Sequence, residues 1–287
     1  MTITSHLTSV AARLSLADID SWQLDAELII AHALGVDRVF LLAHGDEDVA
    51  TTKAKLIEQF VQKRLRRVPL AYVLGHKEFF GIDFIVNKYT LIPRPETELL
   101  VQAVIDYCRA HPYKQSIVEL GIGSGCVLLS IVKNCPQLIY VMGIDRVKRA
   151  IEVAKENAKT MGLLEKITFK RSDMWQQLTK EFQYDLVVAN LPYLSAHELS
   201  AARADCPELS YEPQIALLGG TDGLLFFEKL FQRAHRHLRS GAAIFLEIGA
   251  LQGESVTALA KKYLPTGEVT IMKDDCARDR VIMIQMP

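Results

Sequence analysis

A glycine-rich segment follows an apolar run near the middle of the sequence. The run at 117–120 predicts a buried strand that leads towards a helix. Between these elements lie Gly121, Ile122, Gly123, Ser124 and Gly125. Glycines are required where a ligand lies close to the backbone or where φ is positive. Because open α/β sheets bind ligands at the carboxyl ends of their strands, we expect a cofactor loop here, although a tight strand–helix turn would use similar residues.

Acidic residues at the strand ends indicate what the loop could hold. Asp145 ends the next predicted strand, where an acid can accept hydrogen bonds from both ribose hydroxyls of a nucleoside. Asp173 ends the third strand, where it could meet an adenine amino group or cap a turn. The spacing G-x-G-x-G lacks the third glycine of the dinucleotide pattern, because Cys126 occupies that place.

Glu119 distinguishes two classes of cofactor. A carboxylate at the end of this strand would repel a diphosphate, whereas it would attract a cationic ammonium group. S-adenosylmethionine has an ammonium group, a ribose and an adenine, but no phosphate. The residues therefore favour a methyl donor over a nicotinamide dinucleotide.

A polar tetrad, Asn190, Leu191, Pro192 and Tyr193, follows the fourth predicted strand. A planar nitrogen is a poor nucleophile, and an enzyme can assist it by accepting its N–H hydrogen bonds in line with a sulfonium methyl group. The side-chain carbonyl of Asn190 and the next backbone carbonyl can both accept. Pro192 stiffens the loop, and the Tyr193 ring can stack on a planar group. The tetrad predicts catalysis of methyl transfer to a planar nitrogen, and a plain turn is the alternative.

The elements around these residues alternate between strand and helix. Strands are predicted at 116–120, 139–144, 167–170 and 184–189, with helices at 124–133 and 148–161. This order predicts βαβ units and a mostly parallel sheet. A strand at 242–248, a helix at 253–263 and two strands at 268–272 and 280–285 follow. The last two strands predict an antiparallel edge pair.

The N-terminal part has helical periodicity only. Amphipathic helices are predicted around Leu7–Leu14, from Ser21 to Gly35, and over 53–67. We expect a small all-α bundle that recognises the substrate at 1–75, a β-hairpin linker at 76–92 and a Rossmann-like α/β domain at 93–287.

Charge is uneven along the bundle. Residues 1–50 contain eight acidic and two basic side chains, and the basic run 63–67 follows. That run could contact RNA or an acidic partner, or it could be a solvated helix end.

Composition excludes several classes of protein. The chain has 287 residues, of which 49% are hydrophobic and 23% charged, and this excludes global disorder. The net charge of −1 gives no whole-chain signal for nucleic acid. No apolar run reaches the roughly 18 residues of a membrane span. The five scattered cysteines favour free thiols in a reducing cytoplasm, without a disulfide framework or a metal site.

Further strings resemble one family. They are Arg67–Gly75, Glu78–Gly81, Leu91–Glu98, Tyr211–Leu217, Gly219–Gly220 and Asp222–Leu224. With the glycine loop, Asp145 and the tetrad, they resemble the HemK-type release-factor glutamine methyltransferases, which are class I enzymes dependent on S-adenosylmethionine. The resemblance covers nearly the whole chain.

The resemblance implies methyl transfer to the side-chain amide nitrogen of the glutamine in the Gly-Gly-Gln motif of peptide-chain release factors. It implies that the loop glycines contact the methionine part, that Asp145 holds the ribose, and that Met174 or Trp175 packs on the adenine. The tetrad would hold the glutamine, and Arg94 and Glu212 could border its pocket. We expect a monomer without stable nucleic-acid or membrane binding.

The tetrad departs from the family pattern Asn-Pro-Pro-Tyr at Leu191, which lacks the fixed φ of proline. Asn-Leu-Pro-Tyr also resembles the motif of rRNA adenine dimethyltransferases, so adenine N6 methylation of rRNA or DNA is the alternative activity. Domain order argues against it, because those enzymes place the glycine loop near the N-terminus. A third hypothesis is a non-enzymatic docking module with a vestigial cofactor site.

Overall fold

The computed structural model describes residues 1–113, 115–178 and 182–287, which divide into two compact units. The helical unit contains Met1–His76 together with Pro207–Tyr211. The sheet unit contains Lys77–Cys206 and Glu212–Pro287. Residues 207–211 were predicted to belong to the α/β domain, whereas this short segment packs with the helices.

The first unit is built from short amphipathic helices. They are α1 (Ile3–Leu16), α2 (Trp22–Leu34), α3 (Arg38–Ala43), α4 (Thr51–Leu65) and α5 (Leu70–Leu74). The Thr2 hydroxyl accepts the Ser5 N–H at the start of α1, and Gly35 ends α2 with a φ of +80°. Their apolar faces share one core that includes Leu14, Ile29 and Val61. Helix α3 was not predicted, because six residues are too few to establish a periodicity.

A buried ionic cluster explains why 207–211 joins the helical unit. The Arg64 guanidinium contacts Asp25 at 2.6 Å and Glu208 at 2.8 Å, and Arg67 contacts the same Glu208 carboxylate at 3.2 Å. The Tyr211 hydroxyl donates to the Arg66 carbonyl. The basic run 63–67 thus includes two arginines that form ion pairs within the unit. Neither prediction for this run, a partner contact or a solvated helix end, included such pairs.

A β-hairpin follows, made of β1 (His76–Phe79) and β2 (Ile82–Ile85). Its two turn residues, Phe80 and Gly81, have φ values of +53° and +69°, as the tight turns of right-twisted hairpins require. The Glu98 carboxylate accepts the Phe80 N–H at 2.9 Å. This hydrogen bond helps to hold Phe80, a non-glycine residue, in the left-handed region.

The remaining elements form a mixed sheet with helices on both faces. Its strands are β3 (Gln115–Leu120), β4 (Leu138–Asp145), β5 (Ile167–Arg171), β6 (Tyr184–Ala189), β7 (Leu238–Glu247), β8 (Glu268–Lys273) and β9 (Asp279–Gln285). In the described part of the chain the order is β5-β4-β3-β6-β7-β9-β8. The first five run parallel, and β9 pairs antiparallel with β7 and β8. The predicted parallel sheet with an antiparallel edge pair is confirmed.

Two apolar layers enclose the sheet. Its helices are α6 (Glu98–Ala110), α7 (Cys126–Asn134), α8 (Lys148–Thr160), α9 (Ala196–Asp205), α10 (Leu225–Ala234) and α11 (Gly253–Tyr263). Helices α6 to α8 share one core cluster with the hairpin residues Phe79 and Phe84, and α10 and α11 belong to the other. Helices α9 and α10 were not predicted, although Ser195 and Glu198 form a capping box at α9. Across the described residues, none of the helices has the length and apolar character needed to cross a membrane.

Breaking the ionic cluster should destabilise the helical unit. Replacing Arg64 with Ala leaves Asp25 buried without its guanidinium, so we expect the free energy of unfolding to fall by about 3–5 kcal/mol. The matched control is Arg13→Ala, which removes a partly exposed pair with Glu58 and should cost about 1 kcal/mol or less. Urea unfolding followed by circular dichroism measures both. Equal losses in the two variants would contradict the assignment.

Candidate active site

A cavity of about 950 Å³, counted with its open mouth, lies at the carboxyl edge of the parallel strands in the sheet unit. The predicted site residues that line it are Arg94, Glu119, Gly121, Ile122, Gly123, Ser124, Asp145, Asp173, Met174, Asn190, Leu191 and Pro192. Gly125, Trp175, Tyr193 and Glu212 lie outside its lining.

The glycine loop connects β3 to α7 in a sharply turned conformation. Gly121, Gly123 and Gly125 have φ values of +79°, +54° and +84°, a region that disfavours other residues. The backbone N–H groups of Gly121 and Ile122 both donate to the Ile144 carbonyl at 2.8 Å. The loop is thereby attached to the end of β4, which is the strand that carries Asp145.

Asp145 is held by backbone donors from two directions. One carboxylate oxygen accepts the Gly123 N–H at 3.0 Å, and the other accepts the Val147 N–H at 2.8 Å. Burial raises the pKa of Asp145 above its ordinary value, and these hydrogen bonds act in the opposite direction. The carboxylate is fixed at the cavity wall, where it can accept hydrogen bonds from hydroxyl groups of a ligand.

Glu119 is a buried acid at the end of β3. Its side chain is almost fully enclosed, and one oxygen accepts the Leu128 N–H at 3.1 Å. Burial raises its pKa well above the usual range, and the neighbouring Asp145 adds to this. A cation that entered the cavity would stabilise the charged form of Glu119.

The turn after β5 separates Met174 from Trp175. The Ser172 hydroxyl donates to the Met174 carbonyl at 2.7 Å, and Met174 adopts a φ of +53°. Met174 therefore lines the cavity. Trp175 is buried on the other side, where its indole N–H donates to the Leu230 carbonyl and its ring stacks on His237 at 4.7 Å. Of the two candidates for adenine packing, Met174 lines the cavity and Trp175 does not.

Asn190 begins the loop after β6 with a single allowed amide orientation. Its Nδ2 donates to the Thr97 hydroxyl at 3.2 Å and to Glu247 at 2.9 Å. Glu247 is a buried acid at the end of β7, and burial raises its pKa. Because both N–H groups of the amide are used, the carbonyl oxygen of Asn190 is left as the group that can accept from a ligand.

Tyr193 does not line the cavity, in contrast to the predicted stacking on a planar target. Its hydroxyl donates to Glu247 at 3.2 Å, and burial raises its pKa. Two glycines explain how closely this loop is packed. A Cβ at Gly219 would lie 2.6 Å from the Pro192 carbonyl oxygen, and one at Gly223 would lie 2.2 Å from the Tyr193 carbonyl oxygen. The glycines of the 219–224 string thus accommodate the backbone of the tetrad.

Arg94 and Glu212 form one structure at the cavity mouth. The Arg94 guanidinium pairs with Glu212, which is buried and also accepts the Ile92 N–H at 3.0 Å. Arg94 lines the cavity while Glu212 lies behind it. Glu212 therefore holds the extended segment 92–94 in place and has no direct access to a ligand.

The roles of three residues were not predicted from the sequence. Thr97 and Glu247 orient Asn190, and the buried Asn157 side chain bridges Ile85 of the hairpin to the Ser124 carbonyl. Glu247 could have been found, because it lies one residue before the end of the predicted strand 242–248, at the same edge of the sheet as Glu119 and Asn190. The roles of Thr97 and Asn157 depend on tertiary contacts and leave no signal in a single sequence.

Comparison with known proteins agrees with this geometry. The model of the PrmC N-terminal domain matches residues 6–75, and that of the Methyltransferase small domain matches residues 95–205. A solved methyltransferase from Pyrococcus furiosus shares the fold, with a TM-score of 0.53 at 15% identity over 78% of this chain and 98% of its own.

Full-length relatives are more specific. The release factor glutamine methyltransferase of Nitratidesulfovibrio vulgaris is 33% identical over 98% of this chain and 94% of its own. That of Thermodesulfovibrio yellowstonii is 35% identical over 91% of each chain. The resemblance stated from the motifs is confirmed. The chain belongs to the release factor glutamine methyltransferases, a family of enzymes with the class I methyltransferase fold.

Proposed function

We propose that this enzyme transfers a methyl group from S-adenosylmethionine to the side-chain amide nitrogen of the Gly-Gly-Gln glutamine in peptide-chain release factors. One observation carries the proposal. The Asn190 amide donates both of its N–H groups to the protein, and only its carbonyl is left for a ligand at the cavity. An acceptor at this place suits a substrate nitrogen that itself carries N–H groups, such as a primary amide.

The side chains that line the cavity support S-adenosylmethionine as the cofactor. Glu119 can pair with its ammonium group, and Asp145 can accept from its ribose hydroxyls. Met174 and Phe226 offer apolar surface for the adenine. A diphosphate would meet the repulsion of Glu119 and Asp145 instead. These residues therefore match a phosphate-free nucleoside that carries a cation.

The residues of the tetrad would position the glutamine. When bound, S-adenosylmethionine supplies a methyl group on a positively charged sulfur, which is a good leaving group. The Asn190 carbonyl and the Leu191 backbone carbonyl would accept the two N–H groups of the amide and direct its nitrogen towards the donor. Such acceptors also stabilise the positive charge that develops on nitrogen. The released proton can pass to water at the mouth.

Charge at the cavity favours a protein substrate over a nucleic acid. The basic side chains in its lining are Arg94 and Arg146, and Arg94 is paired with Glu212. The acids Glu119, Asp145 and Asp173 lie in the same lining. The lining thus carries more acidic than basic side chains, which disfavours the phosphate contacts that a nucleic-acid substrate would need. Adenine methylation is therefore the weaker hypothesis.

Recognition of the release factor is assigned to the helical unit, formed by Met1–His76 and Pro207–Tyr211. The proposal also includes a monomeric enzyme that acts in the cytoplasm, where release factors work. The acidic character of residues 1–50 suits a basic partner surface.

The substrate assignment is tested with a purified release factor and labelled S-adenosylmethionine. We expect label in the wild-type factor and none in a factor whose Gly-Gly-Gln glutamine is replaced by Ala. Mass mapping should find the added methyl group on that glutamine. Equal labelling of the two factors would reject the proposed substrate, and labelling of rRNA instead would favour adenine methylation.

Asn190→Ala should separate catalysis from cofactor binding. Loss of one preorganised acceptor raises the barrier by about 2–4 kcal/mol, so kcat should fall roughly 30- to 1,000-fold. The dissociation constant of the cofactor, measured by calorimetry, should stay within about threefold. Unchanged kcat would remove Asn190 from the mechanism.

Glu119 should make cofactor binding depend on pH. Burial raises its pKa in the free enzyme, whereas an ammonium partner requires the carboxylate form. Affinity should therefore fall as pH decreases below about 6.5, where the ammonium group itself is almost fully charged. Calorimetry in two buffers of different ionisation enthalpy should detect protons released on binding. Glu119→Gln should bind more weakly and lose most of this dependence, and a pH-independent affinity in the wild type would contradict the pairing.

A further inference from the structure

Glu247 is the common hydrogen-bond acceptor of the catalytic loop. It ends β7, it is buried, and its two oxygens accept from Asn190 at 2.9 Å and from Tyr193 at 3.2 Å. Thr97, which accepts from Asn190, also hydrogen-bonds to Glu247. The four side chains therefore form a closed network behind the cavity wall.

The carboxylate of Glu247 determines which groups donate and which accept in this network. An ionised carboxylate can only accept, so the groups that face it must be donors. If the Asn190 amide were rotated by 180°, its carbonyl oxygen would face the Glu247 carboxylate without a proton between them. With Glu247 ionised, the observed orientation is therefore the satisfied one, and it turns the Asn190 carbonyl away from Glu247.

We propose that Glu247 is a positioning residue for methyl transfer: it selects the amide orientation of Asn190 that presents a carbonyl to the substrate nitrogen. This inference rests on the proposed function and deepens it. In the rotated orientation the NH₂ group of Asn190 would face the NH₂ group of the substrate amide, and neither could accept. Glu247 thereby also favours methyl-accepting substrates whose nitrogen carries N–H groups.

Burial of a charge at Glu247 costs free energy of folding, and this cost supports a specific role for the residue. A buried carboxylate is stabilised only by well-placed donors, and a neutral residue would avoid that cost. A glutamine at 247 could accept from Asn190 with its oxygen, but it could also turn its own NH₂ group towards the Asn190 carbonyl. Only the charged side chain excludes the second arrangement.

The test compares Glu247→Ala and Glu247→Gln, each alone and combined with Asn190→Ala. Methylation of a purified release factor gives kcat and KM, calorimetry gives cofactor affinity, and thermal unfolding verifies that each variant folds. The matched control is Glu228→Gln, because Glu228 also accepts a tyrosine hydroxyl, that of Tyr263 at 2.7 Å, and lies outside the cavity lining. That control should retain wild-type kinetics.

We expect Glu247→Ala to lower kcat at least tenfold but by no more than Asn190→Ala does, and Glu247→Gln to lower it less, with KM and cofactor affinity within about threefold of wild type. Because Glu247 acts through Asn190, either change should have almost no further effect in the Asn190→Ala background. Because Gln has the same size as Glu, the remaining loss in Glu247→Gln measures the effect of the charge separately from general packing. If the Ala variant does not fold, the Gln variant supplies the same cycle.

Two results would overturn the inference. One is a folded Glu247→Ala variant with wild-type kcat. The other is a full additional loss when Glu247 is changed in the Asn190→Ala background, because Glu247 would then act independently. Absence of methylation by the unaltered enzyme would overturn the proposed function together with this inference, so the two failures are distinguishable.

Discussion

Carboxylates at the carboxyl edge of the parallel sheet constrain the glycine loop and the catalytic loop. Glu119 lies next to the last residue of β3, and Asp145 and Glu247 end β4 and β7. Glu119 and Glu247 are buried and Asp145 is half-buried, so each needs donors to compensate its lost hydration. The donors come from neighbouring segments: Leu128 for Glu119, Gly123 and Val147 for Asp145, and Asn190 and Tyr193 for Glu247. The same hydrogen bonds that make burial tolerable therefore fix the cofactor loop and the catalytic loop in place.

The hairpin belongs to this arrangement and is more than a linker. Phe79 and Phe84 are buried in the same core cluster as α6 to α8. The Asn157 side chain on α8 donates to the carbonyls of Ile85 and Ser124, and it accepts the Ile85 N–H. One buried amide thus ties the hairpin to the glycine loop, so the position of the loop depends on a segment about forty residues earlier in the chain.

Close backbone contacts have a comparable role on the other side of the cavity. Gly219 and Gly223 allow the segment after α9 to approach the carbonyls of Pro192 and Tyr193. The Leu194 carbonyl accepts the Gly219 N–H at 2.7 Å, and Gln252 donates to the Tyr193 carbonyl at 3.0 Å. The tetrad is therefore held by backbone packing as well as by Glu247. This external support is available to Leu191, which lacks the intrinsic rigidity of the family's proline.

The sequence by itself determined the order of strands and helices, the parallel sheet and the residues at its carboxyl edge. These follow from periodicity and from glycine and acid positions, which are local properties of the chain. Tertiary structure alone decided that Met174 lines the cavity while Trp175 is buried, because Trp175 packs against Leu230 and His237, which are distant in sequence. It also decided the orientation of Asn190, since Thr97 and Glu247 are distant in sequence and meet it only in the folded sheet. The packing of residues 207–211 with the helices could not be predicted either. It depends on the pair between Arg64 and Glu208, and the sequence does not show whether Arg64 is buried or exposed.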